Sequence, residues 1–385
     1  MSAARRSKAG MTMVELVIAT GLAALVMTAL FRLLDLTLDL WAKGESRRTV
    51  VEQATATGEL LAKDMRALHP GNQGDLWVEW HPFDVDGDGI IDRVWPRIRL
   101  IRQASRADLA RLAASSIDPE LVALAKSQGL RLEEVLPEGV DLSPPPTSGL
   151  MVVGYCVVPA GQGADVRGEG VLMRGEEIFK AGQMPAIFES NFFSASGQPR
   201  GGAMREVTGG VLWMGLQFAT QTSIVWDGWK VGSDLKDTSA SWDAWALGRP
   251  DPELSVWNQP GTGMPAIEDQ ALLPRRVRIE LEFETPRDRK RRTRLADGIG
   301  KSDTMILVED GGGVSPKAGQ HVLVEGEWME LVRVRGDQVG VRRGRRGTEA
   351  VEHSRGALVH WGEPVTLEVP VPTYRDDWNI GGRAR

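Results

Sequence analysis

The chain opens with a basic cluster, Arg5, Arg6 and Lys8, followed by an apolar run from Met11 to Phe31 that carries one charge, Glu15. As a helix this run would be roughly 31 Å long, enough to cross the hydrocarbon of a bilayer. The basic residues ahead of it hold the N-terminus on the cytoplasmic side. A secretory signal peptide would place a small-residue cut after its apolar core. Here the small residue, Gly10, comes before the run, and no such site follows Phe31. Glu15 is the anomaly, because a carboxylate in lipid is costly and calls for a partner.

Past the run there is no proline before Pro70. Leu33, Leu36, Leu40, Val50, Ala54, Gly58, Leu61, Met65 and Leu68 recur mostly every three or four residues, with one gap around Gly44 to Arg47. That is the stripe of an amphipathic helix laid on a globular domain. Asp39, Lys43, Glu45, Arg48, Glu52, Glu59 and Asp64 are read as lying mostly off it. A single long helix over 11–68, transmembrane over 11–31, is the expectation.

The remainder reads mainly as strands. "LWVEW" (76–80), "RIRLI" (97–101), "LMVVGYCVV" (150–158) and "VLWMGLQF" (211–218) are short, β-branched or aromatic, and bounded by turn residues. A helical interlude is expected over roughly 106–135, and 233–264 reads as a long surface loop. In "RRVRIELEFET", Val277, Ile279, Leu281 and Phe283 alternate with charged residues; in "PVTLEVPVPT", Val365, Leu367, Val369 and Val371 alternate likewise. Both patterns bury one face of an antiparallel sheet, and Pro370 and Pro372 on the outer phase suit an edge. The piece between these two strands has strand signals of its own, "TMILVED", "HVLVEGEWMELVRV" and "QVGVRR". A self-contained β module over 287–362, inserted into a hairpin of a β domain formed by 69–286 and 363–385, is therefore expected.

Composition changes this picture little. The 385 residues suffice for two folded units, and net charge is −6, or −9 without Arg5, Arg6 and Lys8. The single cysteine, Cys156, excludes an internal disulfide and reads as a buried thiol. Thirteen tryptophans against two tyrosines and eight phenylalanines assign tryptophan much of the aromatic packing.

Gly10-Met11-Thr12-Met13-Val14-Glu15-Leu16 resembles the class III signal of type IV pilins and type II secretion pseudopilins. The resemblance implies a leader over 1–10, cleavage by prepilin peptidase between Gly10 and Met11, and N-methylation of Met11. It also implies that Glu15 faces the N-terminal ammonium of a neighbouring subunit during assembly, which would offset its burial. "GELLAKDMRAL" (58–68), "GGVLWMGLQF…VWDGW" (209–229), "LPRRVRIELEFE" (273–284) and "VPVP" (369–372) are similar to the J-type minor pseudopilins, general secretion pathway protein J. That likeness implies an α+β, pilin-like fold: a long N-terminal helix packed on an antiparallel sheet, plus an inserted small all-β module. It further implies a structural subunit at the tip of a type II secretion pseudopilus, anchored in the inner membrane by a single pass with its C-terminal domain in the periplasm. Its partners would be the I-, K- and H-type minor pseudopilins and the major pseudopilin. The alternative is a minor pilin of a type IV pilus used for DNA uptake or adhesion. Within the module, "VRRGRRGTEAVEHSRGALV" (341–359) resembles small β modules of phage tail and fibre proteins, which are structural or attachment pieces.

The strongest chemical motif is "FDVDGDGIIDRV". Asp84, Asp86 and Asp88 present carboxylates to one point, and Gly89 permits the sharp turn that wraps a hard cation. Ile90 would add a carbonyl and Asp92 the ninth-position ligand; Trp95 stands where an EF-hand carries its bidentate glutamate. A structural calcium site is expected there, against an acidic turn held by its own hydrogen bonds. Enzyme signatures fail. "GIGKS" (298–302) lacks the first P-loop glycine, since Leu295 stands there; the five histidines show no zinc spacing, and no G-x-S-x-G occurs. The chain is read as a non-enzyme. From Arg287 to Gly362 fifteen Lys and Arg face eleven Asp and Glu, a net of +4, but acids are interspersed and aromatics are not interleaved, which disfavours nucleic acid.

Overall fold

A computed structural model describes residues 12–70, 74–83, 93–115, 126–130, 147–160, 169–181, 192–193, 199–200, 202–219, 242–244, 273–284, 292–311 and 318–372. Residues up to Thr49 and residues from Val50 onward form two compact units.

The first element is one helix, α1 (Met13–Arg66), with Lys63 and Arg66 in its last turn facing the negative end of the helix dipole. Its apolar stripe splits in two. Leu33, Leu36 and Leu40 are exposed among the described residues, whereas Val50, Ala54, Leu61, Met65 and Leu68 are buried, so the part from Val50 on packs against the sheet. Asp64 corrects the sequence reading: it is buried, because Thr57, Leu61, Asp64 and Leu68 follow steps of four, three and four and share the inward face. Gly58 permits the close approach, since a Cβ there would overlap Leu367 Cδ1.

That face lies on an eight-stranded antiparallel sheet. Its strands are β1 (Leu76–Phe83), β2 (Arg93–Gln103), β3 (Thr147–Pro159), β4 (Gly170–Lys180), β5 (Met204–Ala219), β6 (Trp242–Asp243), β7 (Arg276–Phe283) and a last strand, Glu363–Pro370. They run in the order last-β7-β5-β4-β3-β2-β1-β6. β4 escaped the sequence reading because "GVLMRGEEIFK" mixes apolar and charged residues without strict alternation. β6 falls inside the stretch expected to be loop; its Trp242 is buried against Phe218 at 5.1 Å between ring centroids. The helix α2 (Arg106–Ser115) starts the expected interlude, with Ser105 and Asp108 exchanging capping hydrogen bonds. Val50, Ala54, Leu61 and Met65 join the inward residues of the strands in one core, while Trp77, Val152, Cys156 and Phe193 build a second on the opposite face. Burial pushes the Cys156 thiol up to about 12, against the pull of Arg97.

Four short strands and two longer ones lie between β7 and the last strand: β8 (Thr293–Arg294), β9 (Met305–Leu307), β10 (His321–Val324), β11 (Glu327–Arg335), β12 (Gln338–Arg345) and β13 (Leu358–His360). The last strand is β14 (Glu363–Pro370), and it pairs with β7 from Glu363 opposite Phe283 to Pro370 opposite Arg276. The six intervening strands make a separate sheet, β8-β13-β10-β11-β12-β9. Its two ends meet: Ala296 N–H donates to Leu307 C=O and Glu309 N–H to Arg294 C=O, so the sheet curls onto itself around Ile306, Val324, Met329 and Val341. β14 is an edge of the large sheet. Val371 donates its N–H inward to Arg275, so the alternate positions, Pro364 and Pro370 among them, are those whose amide would point outward. Proline there blunts the edge against strand addition.

Candidate functional site

The sequence places its candidate residues in two stretches. Gly10 and Met11 lie outside the described residues, as do Asp84, Asp86, Asp88, Ile90 and Asp92. The aspartates fall between Phe83 and Arg93, the terminal cross-strand pair of β1 and β2, so strands and not helices flank them. Among the described residues no three His, Cys, Asp or Glu gather to hold a metal.

Glu15 is described. Thr12 opens α1, and its N–H and hydroxyl both donate to Glu15 Oε2, at 2.9 and 3.0 Å, while Glu15 N–H returns to Thr12 Oγ1 at 3.3 Å. Thr12-Met13-Val14-Glu15 is thus a capping box that satisfies orphan donors of the first turn. The helix that follows is long and apolar enough to cross a membrane, and none of its most apolar window is buried by the chain itself. Leu22, Leu25, Met27, Leu30, Phe31 and Trp41 are all more than half exposed. Such a surface needs lipid or neighbouring helices to cover it.

Where α1 meets the sheet, a buried charge network missing from the sequence reading appears. Asp64, 1 % exposed, accepts hydrogen bonds from the Tyr155 hydroxyl (2.5 Å) and Arg174 Nε (3.0 Å), and its other oxygen faces Arg102 Nε at 2.8 Å. Arg102 also donates to Asp108 (2.9 Å), and Arg174 to Glu176 (2.6 Å). Burial and the neighbouring Asp64 carboxylate push the Tyr155 phenol well above its ordinary range, so it stays a donor. The signal was the i, i+3 and i+4 spacing of Asp64 to its buried neighbours; its charge argued the other way.

In the small sheet, the residues that carry the phage-module resemblance surround one carboxylate. Glu327, fully buried, receives Arg343 in a two-point pair at 2.6 Å each, the N–H groups of Gly344 and Val351, and His353 Nε2 at 3.0 Å. Burial opposes its ionisation, but His353 and Arg343 hold its pKa at about 2. The other ring nitrogen of His353 lies 2.8 Å from Glu325. Burial works against a charged ring there, yet the hydrogen bonds to Glu325 and Glu327 lift its pKa above the ordinary value. These residues hold the module's own loops together.

A second buried seam joins the small sheet to the large one. Trp80 stacks on Trp213 (5.7 Å), Trp213 meets Trp328 edge-on (6.0 Å), and Leu212 and Leu323 complete the cluster. The Arg346 guanidinium sits 4.9 Å from the Trp213 ring and 4.3 Å from that of Trp328, and pairs with Glu282 at 2.7 Å. Arg292 bridges Glu284 (2.6 Å) and Glu169 (2.7 Å), and His360 lies 3.1 Å from Glu284. Glu282 and Glu284, outward by alternation and expected to be solvated, are each 3 % exposed because the small sheet covers them. No protein-family model matches the chain, and neither does any curated protein.

Proposed function

We propose that this chain is a minor pseudopilin of the J type, a structural subunit at the tip of a type II secretion pseudopilus and not an enzyme. One observation carries the reading: a single helix whose first part is apolar and exposed and whose last turns pack on an antiparallel sheet. The first part suits a membrane before assembly and a bundle of neighbouring helices after it; the sheet domain then lies in the periplasm. Prepilin peptidase would cut after Gly10, and Met11 would be methylated. Glu15 already caps its own helix through Thr12. In assembly the same carboxylate, one helical turn from the new terminus, would pair with the Met11 ammonium of a neighbour. Calcium at Asp84, Asp86, Asp88, Ile90 and Asp92 belongs to this proposal as a structural ion.

The rival pilus for DNA uptake finds less support. Arg292, Arg342, Arg343, Arg345 and Arg346 are all engaged with carboxylates of the chain and are not gathered for phosphate. Mass spectrometry of membrane-extracted protein tests the proposal: the expected N-terminus is N-methyl-Met11. An intact Met1 in cells with active prepilin peptidase would overturn it. Glu15→Ala should leave the cut in place and reduce incorporation into filaments severalfold.

A further inference from the structure

The ladder between β4 and β5 runs from Gly170 opposite Val211 to Gly175 opposite Met204. β4 itself continues to Lys180, held on its other edge by β3, with Glu177 opposite Val152 and Ile178 opposite Met151. β5 does not accompany it, because the chain enters β5 from a turn at that point. Gly202 has φ +83°, in the left-handed region that glycine tolerates, and Ala203 N–H donates back to Arg200 C=O at 3.1 Å. Among the described residues no strand takes the place beside Glu176 to Lys180. No proline blunts that edge, as Pro364 and Pro370 blunt β14.

A cleft of about 820 Å³ lies there, between α1, α2 and the sheet. Leu60, Met151, Ile178 and Val207 give it an apolar lining, and Arg111, Arg174 and Arg205 reach into it. Arg205 is the unmatched charge. It stands directly opposite Arg174 in the ladder, so both project toward α1, and like charges so placed repel. Arg174 is held by Asp64 and Glu176, and Arg111 by Asp108 and Glu176. Arg205 is exposed and makes no hydrogen bond or ion pair among the described residues.

We propose that this cleft binds the C-terminal end of an extended peptide from a partner protein, added as a strand beside Glu176 to Lys180. Main-chain hydrogen bonds to the open edge of β4 would hold it, and the apolar lining would take its alternate side chains. β5 is antiparallel to β4, so a segment lying in the open place in the direction of β5 ends against Met204 and Arg205. Its α-carboxylate then meets the unmatched guanidinium. The reverse direction would bring an N-terminal ammonium there instead, which Arg205 repels. Ala203 already fills the step before Met204, so a terminus fits where an uninterrupted chain would have to bend away. Glu176 lies on the same side as Arg174 and disfavours an acidic side chain, so the carboxylate is the terminal one and the last residues are apolar. The inference does not depend on the pseudopilus reading.

The test uses the full chain in detergent and a fluorescein-labelled pentapeptide of alternating threonine and valine that ends in valine. The probe is made with a free C-terminal carboxylate and, as a control, with a C-terminal amide. Fluorescence anisotropy should show the acid binding at least tenfold more tightly than the amide. Arg205→Glu, at an exposed position, should abolish that preference without changing near-UV circular dichroism, and Arg205→Lys should keep part of it. Bound acid should also slow hydrogen exchange in Glu176 to Lys180. No binding of the acid at millimolar concentration, equal affinity for acid and amide, a preference that survives Arg205→Glu, or protection that spares Glu176 to Lys180 would each overturn the proposal.

Discussion

Asp64 is the residue whose replacement most directly tests how α1 is held on the sheet. Its carboxylate meets Arg102, Arg174 and Tyr155, and it is 1 % exposed. Breaking a buried pair by removing one partner costs about 3–5 kcal/mol, because the other charge is left behind without compensation. Here Arg102 keeps Asp108 and Arg174 keeps Glu176, so neither guanidinium is fully orphaned. The lower end of that range, about 3 kcal/mol, is expected for Asp64→Asn, whose amide retains one acceptor oxygen. At about 2 °C per kcal/mol for a large unit, the midpoint should fall by roughly 6 °C. Asp64→Leu should fall further, since it leaves Tyr155 and both arginines facing a side chain that accepts nothing. Near-UV circular dichroism of the full chain in detergent reports this melt through the buried tryptophans. If apolar burial alone held the helix, leucine at 64 would be neutral or stabilising. A leucine variant at or above the wild-type midpoint would refute the reasoning.

Four further outcomes follow from the seam, the histidine and the aspartate loop. Arg346→Ala removes the cation beside buried Glu282 and the plate between Trp213 and Trp328, so hydrogen exchange should rise in β5, β10 and β11; replacing residues 288–361 by a turn should destabilise the large sheet by uncovering Leu212 and Trp213, and an unchanged melt would show the seam to be idle. His353 has a raised pKa, so its contribution is complete below the ordinary value of 6.5 and is lost as pH rises through the folded value. The denaturant midpoint of the small sheet should therefore drop between pH 6 and pH 9, and His353→Gln should flatten that slope; an identical slope in the variant counts against it. Millimolar calcium should raise the melting midpoint relative to chelator, with the effect lost in Asp84→Asn with Asp88→Asn; a hundredfold excess over Kd corresponds to about 2.7 kcal/mol, and equal midpoints would leave only an acidic turn.

Local periodicity determines much of this protein without help. An apolar run long enough to cross a bilayer's hydrocarbon, a three- and four-residue stripe with no proline, and strict alternation in "RRVRIELEFET" and "PVTLEVPVPT" each specify an element from neighbours along the chain. The helix α1 and strands β7 and β14 follow from those patterns. Glu15 was legible as an anomaly, because a charge in such a run has few explanations. What the tertiary structure decided is where charge ends up. Asp64, Glu282, Glu284 and Glu327 each look solvated in sequence, yet each is buried because an arginine, histidine or tyrosine distant in the chain arrives beside it. Composition cannot announce such pairs, since their partners lie as far apart as Asp64 and Arg174 or Glu282 and Arg346. The curling of the small sheet through Leu295 and Val308, and its seam against Trp80 and Trp213, depend likewise on contacts that form only once both sheets exist.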